Sequence, residues 1–303
     1  MTLNSNGICQ KALYNLRMRG IILAGGSGTR LWPITKVTSK QLLPLYDKPL
    51  IYYPISTLMI LGIKEILIIT TPHDSELFKA LLGDGSQFGI SIEYATQNKP
   101  EGLAQAFIIG EKFIEGHSCT LILGDNFFHW DDSREALYSE QSVEGAKIYG
   151  YKVADPTQYG VIELDSTGKP QSIEEKPSQP KSNIAVTGLY TFDQNVAGIA
   201  KNVQPSKRGE LEITSVIDSY LQSGNLVLEM LPKGTAWLDT GTPELMLNAA
   251  SYVHIIESRT GQKISCPEEI ALKNGWLSEA DIQRSMSNYK NNSYAQYVMS
   301  LLT

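Results

Sequence analysis

Apolar residues recur in two rhythms along this chain, and the change between them comes near residue 145. In the first half, short continuous apolar runs alternate with stretches of helical spacing. Residues 20–24 (GIILA) run into a pair of glycines and predict a buried strand. Residues 50–61 place apolar side chains three and four apart and stop at Gly62, which predicts a helix. Residues 65–71 (EILIITT) are β-branched and continuous, as in a parallel strand covered on both faces. A helix with an Asp or Ser cap is expected over 74–82, a strand over 90–96, a helix over 101–114, and a strand over 119–123 that ends at Gly124-Asp125-Asn126. This βαβαβ progression predicts an α/β fold: a Rossmann-like, mostly parallel central sheet with flanking helices and right-handed crossovers.

Beyond residue 145, strands are expected over 147–153, 160–164, 171–175 and 184–192, joined by short polar links. Helices follow over 194–202 and 211–222, then a short strand over 235–238 just before Asp239. From Pro243 onward the pattern is helical. The expected organisation is a polar extension over 1–17, one α/β catalytic domain over 18–242, and a helical C-terminal segment over 243–303 packed on the same domain.

Composition narrows the function. The 303 residues carry a formal net charge of −6 and no long lysine or arginine block, which argues against a general nucleic-acid binder. No run of about 20 apolar residues predicts a membrane span. Cys9, Cys119 and Cys266 are far apart, as expected of reduced packing residues in a cytoplasmic protein. The four histidines lack HExxH or paired spacing, which argues against a zinc site.

The chemistry concentrates first in LAGGSGTRLWP, residues 23–33. A strand that enters a glycine turn exposes backbone N–H groups able to cradle an anion. The turn does not complete GxGxxG, because Leu31 stands at the third glycine position, so a dinucleotide fingerprint and a nicotinamide dehydrogenase are disfavoured. It is not a Walker A loop either. Gly25, Gly26 and Gly28 would suit any tight turn, but Thr29 and Arg30 in the same turn favour phosphate, which arginine clamps with several donors. Lys40 and Gln41 follow about ten residues later, where the lysine could return a second positive charge.

The stretch LAGGSGTRLWPITKVTSKQLLPL resembles the signature region of the sugar-1-phosphate nucleotidylyltransferases. YDKPLIYYPISTLM, LGDGSQFGI, GLAQAFIIGEKFI, LGDNFF, EEKP, KSNIAVTGLY, RGELEIT, WLDTGT and SCPEEIA are similar to the glucose-1-phosphate thymidylyltransferases of that family, from about residue 18 to the end. The resemblance implies transfer of a thymidylyl group from dTTP to α-D-glucose 1-phosphate, giving dTDP-glucose and pyrophosphate. It implies Mg²⁺ held by Asp125 and Asp239. It assigns Arg30, Lys40 and Lys176 to catalysis, and Gly25, Gly26, Gly28, Thr29, Arg30, Gln41, Gln97, Gly102 and Asp125 to the nucleotide. Asn126, Tyr159, Gly160, Glu175, Lys176, Val186 and Arg208 fall where the family contacts the sugar phosphate. A homotetramer in the cytoplasm, serving dTDP-deoxysugar and above all dTDP-L-rhamnose synthesis, is implied in the same way.

The residue types suit that chemistry. A sugar phosphate is largely dianionic at neutral pH, so the nucleophile needs no strong base. The protein has to bring two polyanions together and stabilise charge in the transition state. A glutamine amide offers donor and acceptor to a pyrimidine edge, and two carboxylates can share one hard cation. Alternatives are a related enzyme using UTP or GTP with another sugar 1-phosphate, and a non-catalytic sugar-nucleotide sensor; retention of both Asp125 and Asp239 disfavours the sensor. One departure from the family stands at His129-Trp130, where tyrosine and glycine are usual. That stretch, with Arg259 and residues 267–270, lies near a secondary nucleotide site used for feedback in relatives.

Overall fold

The computed structural model describes residues 18–26, 28–130, 144–289 and 292–302. The extension expected over 1–17, with Cys9, lies outside the described residues.

The first half builds the parallel part of one sheet. Strands β1 (Met18–Ala24), β4 (Glu65–Thr70), β5 (Ser91–Thr96) and β6 (Ser118–Leu123) stand in the order β6-β1-β4-β5. The pairs β1–β4, β1–β6 and β4–β5 are all parallel. Between β1 and β4 the chain makes a small hairpin, β2 (Pro44–Leu45) and β3 (Lys48–Pro49), and helix α1 (Tyr52–Ile60). Helix α2 (Ser75–Leu82) connects β4 to β5. The helix expected over 101–114 is two short ones, α3 (Gln105–Ile109) and α4 (Glu111–Ile114), parted at Gly110. A Cβ at Gly110 would lie 3.2 Å from both Ile21 Cδ1 and Leu67 Cδ2, so the glycine lets the segment press against β1 and β4.

The second half is antiparallel where it meets the first. Strand β7 (Asn126–His129) leaves the sheet, and β8 (Ala146–Lys152), β9 (Gly160–Leu164), β10 (Pro170–Glu175) and β11 (Ile184–Phe192) follow. The fully buried β11 runs antiparallel to β6, β8 and β9, so the central sheet is mixed, its parallel order confined largely to the N-terminal half. Helices α5 (Val196–Asn202) and α6 (Ile213–Gln222) cover it. Two strands escape the sequence pattern. β12 (Leu226–Met230) is a half-exposed edge on β8, and β7 pairs antiparallel with β13 (Ala236–Asp239) outside the main sheet. Helices α7 (Pro243–Thr260), α8 (Pro267–Lys273), α9 (Glu279–Met286) and α10 (Ser293–Ser300) complete the chain.

Alternation along β1 shows how the layers form. Ile21 and Leu23 face a core shared with Phe107, Phe192 and Val216, whereas Ile22 and Ala24 face Ile55, Leu58, Phe78 and Ile270. The sheet is thus covered on both sides, which its continuous apolar strands require. A third cluster joins Leu45, Leu50, Tyr53 and Phe127 to Ala249 and Val253 of α7.

The C-terminal helices close over a buried acid. Glu268, 1% exposed, accepts hydrogen bonds at Oε2 from the Tyr294 hydroxyl (2.5 Å) and more distantly from Cys266 Sγ, and its Oε1 has no partner among the described residues. Burial pushes its carboxyl above the ordinary range. The folded state therefore holds a proton that the unfolded chain has already released at the same pH. Stability from this group is full below the unfolded value, near about 4.3, and is lost as pH rises through the folded value. Thermal unfolding of wild type across this range should thus show a decline with rising pH that Glu268→Gln flattens. Superimposable profiles would contradict the raised acid.

Candidate active site

The order β6-β1-β4-β5 puts a topological switch between β1 and β6, since the chain leaves β1 toward β4 and later returns to the other side. Open α/β sheets bind ligands at the carboxyl ends of strands at such a point. Two of the predicted segments meet there. The glycine turn begins directly after β1 and Gly124-Asp125 directly after β6, with Leu23 beside Leu123 and Gly124 N–H donating to Leu23 O at 2.9 Å. Gln97 arrives from β5, its N–H donating to Thr70 O at 2.8 Å. A Cβ at Gly25 would stand 2.3 Å from Gln97 Oε1, so the glycine lets the amide reach the turn. Gln97 Nε2 donates to Gln105 Oε1 at 2.6 Å.

The turn is shaped by local bonds. Gly28 has φ +60° and its carbonyl accepts from Thr35 Oγ1 at 2.7 Å, while buried Leu31 anchors the 3₁₀ turn Thr29–Leu31. Gly26 and Thr29 are exposed, and a Cβ at Gly26 would meet nothing within 4 Å. Ser27 lies outside the described residues. A second 3₁₀ turn, Lys40–Leu42, carries two buried polar side chains, Lys40 and Gln41. Lys40 Nζ donates to Asp125 Oδ2, and Gln41 Oε1 accepts from Ser39 Oγ.

Asp239 comes from the far side of the sequence. Its strand β13 pairs with β7 so that Asp239 sits opposite Asn126. Thr240 then donates to Asp125 O through its hydroxyl (2.8 Å) and its amide (3.2 Å). Burial would raise Asp125, but the Lys40 ammonium beside it and the Asn126 amide hold its carboxyl below the usual range. Burial and then the Asp125 charge push Asp239 upward, offset only in part by Lys40 and Arg30. The Arg30 guanidinium reaches the same place: Nη2 is 2.9 Å from where a Gly241 Cβ would lie. Arg30, Lys40, Asp125 and Asp239 are therefore gathered at the switch point.

The residues expected on the sugar side form a second group, set by strand register. Gly160 pairs with Glu175 across β9–β10 and with Val186 across β9–β11, one row on the sheet. Burial raises Glu175, against the lowering pull of Lys176. Lys176 adopts φ +46°, its N–H donates to Tyr159 O at 3.0 Å, and Nζ lies 3.7 Å from Glu175 Oε1. Arg208 is held by acids: Nη2 is 2.9 Å from Glu212 Oε1, 3.1 Å from Glu210 Oε2 and 3.7 Å from Glu175 Oε1.

Trp237, seen in the sequence only as part of a block, joins the two groups. Its ring lies 5.0 Å from that of Tyr159, and Nε1–H donates to Asn126 Oδ1 at 2.7 Å. Asn126 Oδ1 also accepts from Gly188 N at 3.2 Å, and Nδ2 donates to Asp125 Oδ1 at 3.0 Å. Asn126 is 4% exposed and braces the acid next to it. Thr240 and Gly188 carried no sequence signal beyond their motifs. At the remote stretch singled out for feedback, His129 Nδ1 is 2.8 Å from the Tyr252 hydroxyl of α7, and Arg259 is exposed on that helix's last turn.

The fold is an α/β sheet that carries two acids and two cations beside a glycine turn at its topological switch point. Residues 19–254 match the nucleotidyl transferase family, and the chain belongs to that family. It is a nucleotidyltransferase. The chain is 51% identical over 286 residues to the glucose-1-phosphate thymidylyltransferase of Neisseria gonorrhoeae, covering 94% of this chain and 99% of that one. It is 51% identical over 285 residues to the enzyme of the same name from Mycobacterium tuberculosis, with the same coverage. Among solved structures, a candidate glucose-1-phosphate thymidylyltransferase from Bacillus anthracis in complex with sucrose superposes with TM-score 0.72 and 41% identity, over 78% of this chain and 94% of that one. A UDP-glucose pyrophosphorylase complexed with UDP-glucose superposes with TM-score 0.69 and 25% identity, over 79% and 99%.

Gly102 has a reason that the sequence does not reveal. Expected to admit a base, it has φ +114° and lies so close to the chain after α5 that a Cβ would be 2.4 Å from Leu211 O. Gly102→Ala should cost about 1–3 kcal/mol from backbone strain alone, read as a lower urea midpoint. A midpoint equal to wild type would mean that the two segments separate without cost.

Proposed function

We propose that the protein transfers a thymidylyl group from dTTP to α-D-glucose 1-phosphate, releasing pyrophosphate and forming dTDP-glucose. The observation that carries this reading is the gathering of Arg30, Lys40, Asp125 and Asp239 beside the glycine turn. The relatives named above supply the choice of nucleotide and sugar.

In this reading the turn at Gly25, Gly26, Gly28 and Thr29 takes the triphosphate on backbone N–H groups. Arg30 and Lys40 neutralise its oxygens. Gln41 steadies the turn beneath Lys40, and Gln97 meets the pyrimidine edge with Gly102 near it. Tyr159, Gly160, Glu175, Val186 and Asn126 line the sugar, and Glu175 accepts from its hydroxyls. Lys176 and Arg208 hold the sugar phosphate, Arg208 after exchanging a carboxylate for a phosphate partner. A phosphate oxygen of the sugar attacks the α-phosphorus, the bond to the bridging oxygen breaks in line, and pyrophosphate leaves. No side chain takes a proton, because the attacking phosphate is already ionised. The chain's work is alignment and charge stabilisation.

Mg²⁺ suits the donor set: two hard carboxylates close enough that the charge of Asp125 is felt unfavourably at Asp239. Asp125 and Asp239 would hold the ion, which when bound supplies charge neutralisation to the phosphates. A homotetramer in the cytoplasm serving dTDP-deoxysugar synthesis, dTDP-L-rhamnose first, belongs to the same reading.

The test is pyrophosphate release with dTTP, UTP, GTP and ATP, each against glucose 1-phosphate and mannose 1-phosphate. The maximum should fall at dTTP with glucose 1-phosphate. Some use of UTP is expected, because one methyl group discriminates by only about 1–3 kcal/mol. EDTA should abolish turnover, and Asp125→Asn should lower it by more than about 100-fold. A maximum at GTP with mannose 1-phosphate would overturn the substrate assignment; tight dTTP binding without turnover would leave a sensor.

A further inference from the structure

Asp74 stands at the N-cap of α2, where an aspartate ordinarily accepts from the amides of its own helix. Here it makes no such bond. Its carboxylate is turned away from α2 toward a segment 35 residues earlier. Oδ1 accepts from Ser39 N–H at 3.1 Å, and Oδ2 accepts from Thr71 Oγ1 at 2.6 Å. The Asp74 amide donates back to Thr71 Oγ1 at 3.2 Å, so backbone and side chain of Asp74 are fixed by one threonine. The residue is 6% exposed.

Ser39 is the N-cap of the turn that carries Lys40. Leu42 N–H donates to Ser39 O at 3.1 Å, and Ser39 Oγ donates to Gln41. The far end is tied independently, by Ile51 N–H to Gln41 O at 2.9 Å. With both ends fixed, Lys40 points at Asp125.

We propose that Asp74 is a positioning residue for the reaction: by holding Ser39 to the loop after β4, it sets the turn that presents Lys40 to the phosphates and to Asp125. The inference rests on the function proposed above for Lys40. A carboxylate forgoing its own helix N-terminus gives up favourable local bonds. The bond that it makes instead is charge-assisted and directional. A lysine side chain has much rotamer freedom to lose, so a rigid base under it saves entropy when the triphosphate binds.

The experiment is a double-mutant cycle on the full chain with Asp74→Ala and Lys40→Ala, joined by Asp74→Asn and the milder Thr71→Val. Asp74→Ala should lower kcat about 10–100-fold while the KM for the sugar phosphate moves little. Asp74→Asn should recover most of this, since its amide oxygen can accept from Ser39 and its NH₂ can donate to Thr71. Thr71→Val should fall between wild type and Asp74→Ala. In the Lys40→Ala background, Asp74→Ala should cost nothing further. A lower melting temperature with unchanged kcat, or losses that multiply in the double mutant, would overturn the inference while leaving the proposed function intact. If wild type shows no turnover with any pair, dTTP affinity measured through the same cycle reads the coupling: non-additive losses uphold the inference although the proposed reaction fails. A wild type that binds no triphosphate overturns both.

Discussion

Asp125 and Asp239 repel each other, and the cleft keeps both only because cations lie against them. Lys40 takes the first and Arg30 leans on the second, yet the balance leaves one carboxyl depressed and the other raised. Environments that push paired acids apart mark a site arranged for charge. Most of the surrounding structure serves this pair. The β7–β13 ribbon brings the acids together, Thr240 pins the backbone of one to the strand of the other, and Asn126 fixes the orientation of Asp125 from beneath.

The sheet explains where that charge is put. A parallel half gives aligned carboxyl ends and a glycine turn that opens onto them. An antiparallel half gives rows of residues across strands, of which Gly160, Glu175 and Val186 are one. β11 belongs to both halves and is buried along its whole length. Trp237 joins the halves a second time, at the level of side chains, between Tyr159 and Asn126. The two groups of residues are thus set by different pairing rules within one sheet.

Local signals were legible in the sequence wherever the physics was local. Continuous β-branched runs marked β4 and β6, and the glycine turn announced itself because few other uses exist for three glycines and an arginine together. What escaped was long-range. Nothing near Asn126 says that its strand will pair with residues more than a hundred positions on, so no strand was expected where β7 lies. Gly102 read as a ligand contact, and its close approach to the backbone of Leu211 left no mark in the sequence. Arg208 read as a phosphate-side residue, with no sign along the chain of the three glutamates around it. Asp74 read as an ordinary cap because capping residues reveal their type and not the direction in which they turn. The acid pair itself was legible only through family resemblance, since spacing along the chain carries no sign of it.

The distance that hid the pair also orders its assembly. Asp125 and the Thr240 that meets it are 115 positions apart. During synthesis the glycine turn, Lys40 and Asp125 emerge long before β13, so an incomplete chain carries one acid already neutralised by a lysine. The like charge of Asp125 is unfavourable to Asp239, and closing so long a loop is entropically slow. It is therefore met only once β1, β4, β5 and β6 have been made and can hold Asp125 in place. The chain postpones this repulsion until there is a scaffold to bear it, and a chain that ends before β13 holds Lys40 and Asp125 together without the second acid.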